Sequence, residues 1–438
     1  MSVDLILRNG IVIIDGKEVV RSVAVSAGKI EGIYAPIDEP EASDAIDCTE
    51  MYILPGAIDI HVHLRDLGQS EKETFETGTM AAAAGGVTTV VDMPNSVPPI
   101  LSNFELEGKI ECAIVDKYVN IGFYAGIPKK AAEFDQEMVP DILGVKVYPH
   151  APLEKGTRYG KVRIMDCMKI SAQHKIPLLF HPDSASPTKK PKDVEEFLQL
   201  HDCGSEIKSL KKFIAARKEV EGRLHVCHVS CATGVKLIAD NRAEETLTAE
   251  VTPHHLFLSD ENVTYENGSA KMLPPLRARD DTEALQKALV GTCAIDCVAS
   301  DHAPHQPHEK TAPFLEASSG IPGLETTVPI MLTEVFNGNM SWIDYLRVCC
   351  SGPARILGIR GKGVLTKGYD ADIAVVEKRR TIIKGAQFHS QAKITPFEGR
   401  IVMAQPMVTI VGGEVVYNHG EFMVDPGVAG MVPVRKAW

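Results

Sequence analysis

Between Gly56 and about Gly361 the chain alternates strand-like apolar runs with helix-like segments, eight times over. The runs read "AIDIHVHLR", "GVTTVVDMPN", "VNIGFYAGI", "ILGVKVYP", "IPLLFHPD", "RLHVCHVS", "LTAEVTP" and "CAIDCVASDHAPH". Helix-like segments separate them, among them 71–84, 104–117, 161–175, 205–221 and 280–290. Strands that are apolar on both faces need cover on both sides, and intervening helices supply it in parallel sheets. Eight such units predict an α/β fold, a (β/α)8 TIM barrel. A doubly wound sheet is the other solution, but no glycine-rich phosphate turn follows the first strand.

The flanks have another texture. Residues 1–55 run in short β-like stretches such as "DLILRNG" and "IVIIDG", and residues 362–438 return to it with "DADIAVVEK" and "PMVTIVGGEVVYNHGEF". Turn pairs such as Asp15-Gly16 and Gly412-Gly413 punctuate both. Neither flank is long enough for its own core. The expected division is therefore a barrel over 56–361 and one small β-sandwich domain composed of 1–55 and 362–438.

Bulk properties exclude several classes. Net charge is −12 with no clustered basic face, which argues against a nucleic-acid partner. No run approaches the roughly 18 apolar residues of a membrane span. The N-terminus lacks the basic start and uninterrupted apolar stretch of a secretory signal. Ten scattered cysteines then read as reduced thiols of a cytoplasmic protein.

In such a barrel the active site lies at the C-terminal ends of the strands, and the polar residues of these runs gather there. The first run ends with His61, His63 and Arg65, the second with Asn95. The fourth carries Lys146, the fifth ends with His181 and the sixth with His228. The eighth ends with Asp301, His302 and His305. Residues two apart on a strand share a face, so His61, His63 and Arg65 address one mouth. Two neutral imidazoles there suit a borderline metal such as Zn2+. An isolated His-x-His is equally a packing feature, and His181 or His228 alone reads as a core histidine. The convergence of histidines and an aspartate on four strand ends is what points to a metal. Lys146, read alone, packs along its stem or pairs with a carboxylate; reacted with CO2 it would become a bridging carbamate. His150, His174, His201 and His308 read as surface side chains.

Seven motifs carry a resemblance: "DIHVHLRD", "GGVTTVVDMPNSVPP", "GVKVYP", "HVCHVS", "VTPHHLFLS", "ASDHAPH" and "GIPGLET". With them the chain resembles the dihydroorotases of the amidohydrolase superfamily over nearly its whole length. The resemblance implies two Zn2+ per subunit. His61, His63 and Asp301 would hold one, His181 and His228 the other, with carboxylated Lys146 and a hydroxide between them. It implies that Arg65, Asn95 and His305 bind substrate, with backbone contacts from Ser319 and Gly320. The implied reaction is the reversible cyclisation of N-carbamoyl-L-aspartate to L-dihydroorotate in de novo pyrimidine synthesis, with Asp301 as acid and base. Arg65 would clamp the substrate carboxylate, which the neutral rings of allantoinase- and hydantoinase-like enzymes lack. The implied partner is a small molecule, with homo-oligomerisation left open. Two positions depart from the family: Ser96 replaces a usual threonine, and Leu273 an asparagine that contacts the substrate ring. Hydrolysis of another cyclic amide, and a non-catalytic scaffold that has lost its ligands, are the competing readings.

Overall fold

The computed structural model describes residues 2–186, 188–242, 246–291 and 294–430. Cys293, which opens the eighth expected run, lies outside them; the nine described cysteines are all free. Eight parallel strands stand side by side in chain order: Ala57–Val62, Val87–Asp92, Asn120–Gly126, Gly144–Val147, Leu178–Phe180, Leu224–Val226, Leu247–Val251 and Cys297–Val298. A parallel bridge between Val62 and His302 brings the end of the first strand against the exit of the eighth. There the His63 amide donates to His302 O at 2.7 Å. The sheet thereby closes on itself as the expected barrel. Every residue in these strands is buried, which is why they read as continuous apolar runs. Ile58, Ile60, Val91, Tyr124, Leu179 and Cys297 from separate strands meet in one cluster, as side chains pointing into a common interior do.

The helices start where local chemistry satisfies their free amides. Helix Asn103–Asp116 opens on a capping box in which Glu105 accepts the Ser102 amide at 2.9 Å. Helix Cys203–Val220 opens on Asp202, which accepts the Ser205 amide at 2.7 Å. Such caps contribute about 0.5–2 kcal/mol each. Helices Phe75–Ala84, Lys161–His174 and Arg279–Val290 also fall on segments expected to be helical.

A second sheet of nine strands draws on residues either side of the barrel. Its order is Glu421–Phe422, Glu414–Asn418, Gln405–Val411, Ile373–Glu377, Met51–Pro55, Val3–Ile14, Lys17–Ser26 and Lys29–Tyr34, with Ala42–Asp47 also on Val3–Ile14. The long strand Val3–Ile14 has a register shift between Leu7 and Gly10. One end pairs with Ala42–Asp47 and the other with Met51–Pro55. Leu7, Val23, Ile53, Ile373, Val375 and Ile410 share one apolar core. The expected sandwich is thus one hydrogen-bonded sheet around a core supplied from both flanks.

Only Gly56 separates this sheet from the first barrel strand. Its amide donates to Asp372 O at 2.9 Å. A Cβ at position 56 would lie 2.1 Å from Thr88 Oγ1, so the close approach of the two sheets requires glycine.

A candidate active site at the barrel mouth

Asp59 fixes the floor of the site. Its carboxylate accepts the amides of His61 and Ser300, each at 3.1 Å, and so ties the first strand to the eighth. Burial pushes this carboxyl up to about 6. At the end of the second strand, Asp92 accepts the Leu64 amide at 2.9 Å and pairs with buried Lys109 at 2.7 Å. The chain then leaves the barrel sharply. Arg65, Asp66 and Leu67 have φ of 58°, 46° and 50°. His228 and Asp301 are left-handed as well, at 32° and 49°. Each costs a non-glycine residue about 1–2 kcal/mol. Five of the twelve such residues in the described chain therefore sit in this one region, where strain commonly accompanies function.

The side chains converge. His61 Nε2 and His63 Nε2 lie 3.3 and 3.2 Å from the same Asp301 oxygen. The other nitrogen of each ring is occupied. His61 Nδ1 bonds the Glu250 carboxylate, and His63 Nδ1 bonds Asn95 Oδ1 at 2.7 Å. Those acceptors orient the rings and leave both Nε2 atoms facing Asp301. Beside them the His61 and His228 ring centroids are 5.2 Å apart, and those of His181 and His228 4.4 Å. His181 Nε2 and His228 Nδ1 are buried and have no hydrogen-bond partner among the described residues. Lys146 is wholly buried; its ammonium contacts Cys227 Sγ at 2.7 Å and lies over the Tyr148 ring. No carboxylate among the described residues pairs with it, so the ion-pair reading of Lys146 finds no support.

The electrostatics are those of a cation site. Burial drives His181 and His228 well below the usual imidazole range and His63 down to about 4. All three are therefore neutral and ligand-ready. Burial and Lys146 also press His61 down, yet Glu250 and Asp301 on either side outweigh them and hold it up near 10. Burial pushes the Asp301 carboxyl up, but His61, His63 and His254 overcome it and bring it to about 2. An imidazole that keeps a proton between two carboxylates marks a place where a metal cation would take the proton's role. Among the described residues, His61, His63 and Asp301 offer ligand atoms within 4.8 Å of one another, as do His61, Cys227 and Glu250, and His150, His181 and Asp183.

Arg65 stands at the rim, 9% exposed. Its Nε is 3.4 Å from Pro304 O and its Nη2 3.4 Å from His305 Nε2. It has no carboxylate partner among the described residues. His305 Nε2 donates to Ser319 O at 3.0 Å, and its Nδ1 accepts from Lys72 at 3.3 Å. Burial, then Arg65 and Lys72, pull His305 down to about 3, so the ring is neutral. Gly320 has φ +134°, and a Cβ there would be 2.6 Å from Ala303 O. The backbone at 319–320 thus runs directly against the exit of the eighth strand. Ser96 Oγ donates to Pro98 O at 3.0 Å, and Leu273 is half-buried.

Two expectations are corrected. His201 is buried, its Nδ1 bonded to Asp183 at 2.5 Å. The His150 ring lies against His181 with centroids 4.0 Å apart. Both read as surface because only barrel closure brings their loops over the fifth strand. His308 is exposed as expected, and His174 is half-buried. Glu250 was not singled out, yet its carboxylate joins His61 to His225, at 3.0 Å from the latter. A glutamate inside the otherwise apolar run "LTAEVTP" was the available signal, since a buried charge needs a partner.

The profile of the amidohydrolase family matches residues 52–416. A dihydroorotase of Methanosphaera stadtmanae is 32% identical over 435 residues, covering 95% of this chain and 97% of that protein. A dihydroorotase of Pyrococcus furiosus is 33% identical over 425 residues, covering 96% and 94%. Among solved structures, an L-hydantoinase (dihydropyrimidinase) from Arthrobacter aurescens superposes with a TM-score of 0.90 at 27% identity, covering 99% of this chain and 100% of that one. No helix among the described residues is long and apolar enough to cross a membrane. With its barrel, its histidine-rich mouth and these relatives, the chain belongs to the amidohydrolase family and is a hydrolase acting on a cyclic amide.

Proposed function

We propose that this protein is a dihydroorotase, interconverting N-carbamoyl-L-aspartate and L-dihydroorotate. The carrying observation is Arg65: a buried guanidinium at the edge of the histidine cluster with no carboxylate at ion-pair distance among the described residues. An unpaired buried charge is costly, and the free carboxylate of dihydroorotate is the counter-ion that fits its fork. The neutral ring of a hydantoin offers none. The curated relatives above carry the dihydroorotase name, which supports the same reading.

In this reading His61, His63 and Asp301 would hold one zinc and His181 and His228 a second, with carboxylated Lys146 as a ligand common to both. The donor set fits: the ring nitrogens converge, His63, His181 and His228 are neutral, and His181 Nε2 and His228 Nδ1 lack partners among the described residues. When bound, the metal pair polarises the ring amide carbonyl and lowers the pKa of water held there. The chain's own residues do the rest. Arg65 receives the substrate carboxylate. Asn95 spends its oxygen on His63 and keeps its amide hydrogens for the same carboxylate. His305 and the backbone at Ser319 and Gly320 close the far side of the ring. Asp301 takes a proton from the attacking water and delivers it to the leaving ring nitrogen; in cyclisation it runs the other way.

Exhaustive chelation should abolish turnover of L-dihydroorotate, and added Zn2+ should restore it. Full activity in protein shown to be metal-free would refute the metal assignment. Hydantoin or allantoin hydrolysis without dihydroorotate turnover would refute the substrate.

Arg65→Lys keeps the charge and loses the fork. Loss of one charge-assisted hydrogen bond should raise KM for dihydroorotate about 10- to 100-fold, with metal content unchanged by elemental analysis. Wild-type KM in this variant would remove Arg65 from the carboxylate.

A further inference from the structure

Two buried lysines near the mouth have no carboxylate partner among the described residues. Lys310 is 2% exposed and Lys271 6%. Lys310 Nζ donates to three main-chain carbonyls: Lys271 O at 3.0 Å, Ser318 O at 3.0 Å and Gly320 O at 2.7 Å. These match the three N–H bonds of an ammonium. Lys271 Nζ donates to Ala317 O at 2.7 Å and Leu315 O at 3.2 Å, and lies over the Phe197 and Phe314 rings. The Gly320 amide returns to Lys271 O at 2.9 Å. Ser319 O, between the clamped carbonyls, is the one that holds His305.

Residues 315–320 form no helix or strand, so their carbonyls have no ladder to join. Buried main-chain oxygens must be satisfied somehow, and here the lysines do it. The arrangement is expensive for the lysines themselves: burial, then the neighbouring Lys271 ammonium, pulls Lys310 down to about 7. A solvated loop would avoid that cost. What the burial secures is a fixed height for Ser319 and Gly320 above the eighth strand.

We propose that Lys310 is a positioning residue for substrate: its ammonium holds the Ser318–Gly320 backbone, and through Ser319 O it holds His305 beside Arg65. The effect on substrate rests on the dihydroorotase reading; the effect on the loop does not. Lys310 stands five residues past His305 and touches no reacting atom, so its loss should appear in binding before chemistry.

The test uses metal-loaded full-length protein and Lys310→Met, which keeps the length of the side chain and removes its donors. Hydrogen–deuterium exchange should speed up about tenfold or more in a peptide spanning 312–323, and stay as in wild type for 57–66. KM for L-dihydroorotate should rise about tenfold, with kcat and zinc content little changed. Lys310→Gln, which retains two N–H donors, should recover part of both effects, and it carries the same comparison if the methionine variant does not fold. Unchanged exchange in 312–323 overturns the clamp. A loosened loop with wild-type KM overturns the link to substrate, as does a fall in kcat alone. Failure of the dihydroorotase reading appears separately, as wild-type protein that does not turn over dihydroorotate, and the exchange measurement still decides the clamp.

Discussion

Asp301→Asn should lower kcat by about 10²–10⁴-fold, the usual worth of a positioned acid–base group. The substitution is nearly isosteric. Asp301 sits at φ 49°, and asparagine tolerates the left-handed region as well as aspartate does, so the backbone should not move. An amide oxygen can still face His61 and His63, but an amide cannot accept and return a proton. Metal content should therefore fall less than activity. Both directions should suffer, because the same group removes a proton in one and delivers it in the other. Steady-state assays of hydrolysis and cyclisation, with zinc measured on the same samples, decide the matter. A variant that keeps its metal and near-normal kcat would take Asp301 out of proton transfer.

Lys146→Ala should have the second large effect. Lys146 lies wholly buried among His61, His181 and His228, with Cys227 Sγ its hydrogen-bond acceptor. An amine in that position, reached by CO2, becomes an anion with two oxygens between two clusters of nitrogen donors. In the proposed centre, removing it would delete a ligand rather than a supporting contact. Loss of supporting contacts alone costs about 10–100-fold in metal affinity, so binding of at least one ion should weaken by more than that and turnover should collapse with it. Short carboxylic acids should restore part of the activity by supplying the missing oxygens. Native mass spectrometry of the wild type should show one added CO2 that the variant lacks. Wild-type protein with two zincs and an unmodified lysine would end this assignment.

How much of this the amino-acid order reveals depends on the range of each contact. The eight strands and their helices were legible because burial on both faces leaves an unbroken apolar signature. The convergence of His61, His63 and Asp301 was legible from period-two geometry plus the rule that strand ends meet at one mouth. Contacts made only after closure were not. Glu250 reaches His61 across a separation of 189 residues, and no local pattern announces that pairing. His150 and His201 stand in loops whose composition looks solvated. The clamp on residues 315–320 is equally silent, since no local pattern pairs Lys271 and Lys310 with main-chain carbonyls.

Gly56 joins the two sheets without a linker, and that has a consequence for biosynthesis. The strand Met51–Pro55 is flanked in its sheet by Val3–Ile14 on one side and Ile373–Glu377 on the other. The neighbour on the second side is made more than 300 residues later. A ribosome-bound chain that has already produced all eight barrel strands still lacks that partner, and with it the anchor of the strand bearing His61. Contacts of such sequence separation form slowly, and large chains with unpaired strand edges are prone to associate meanwhile. The strand bearing His61 should therefore gain its anchor late, only once Ile373–Glu377 has been made.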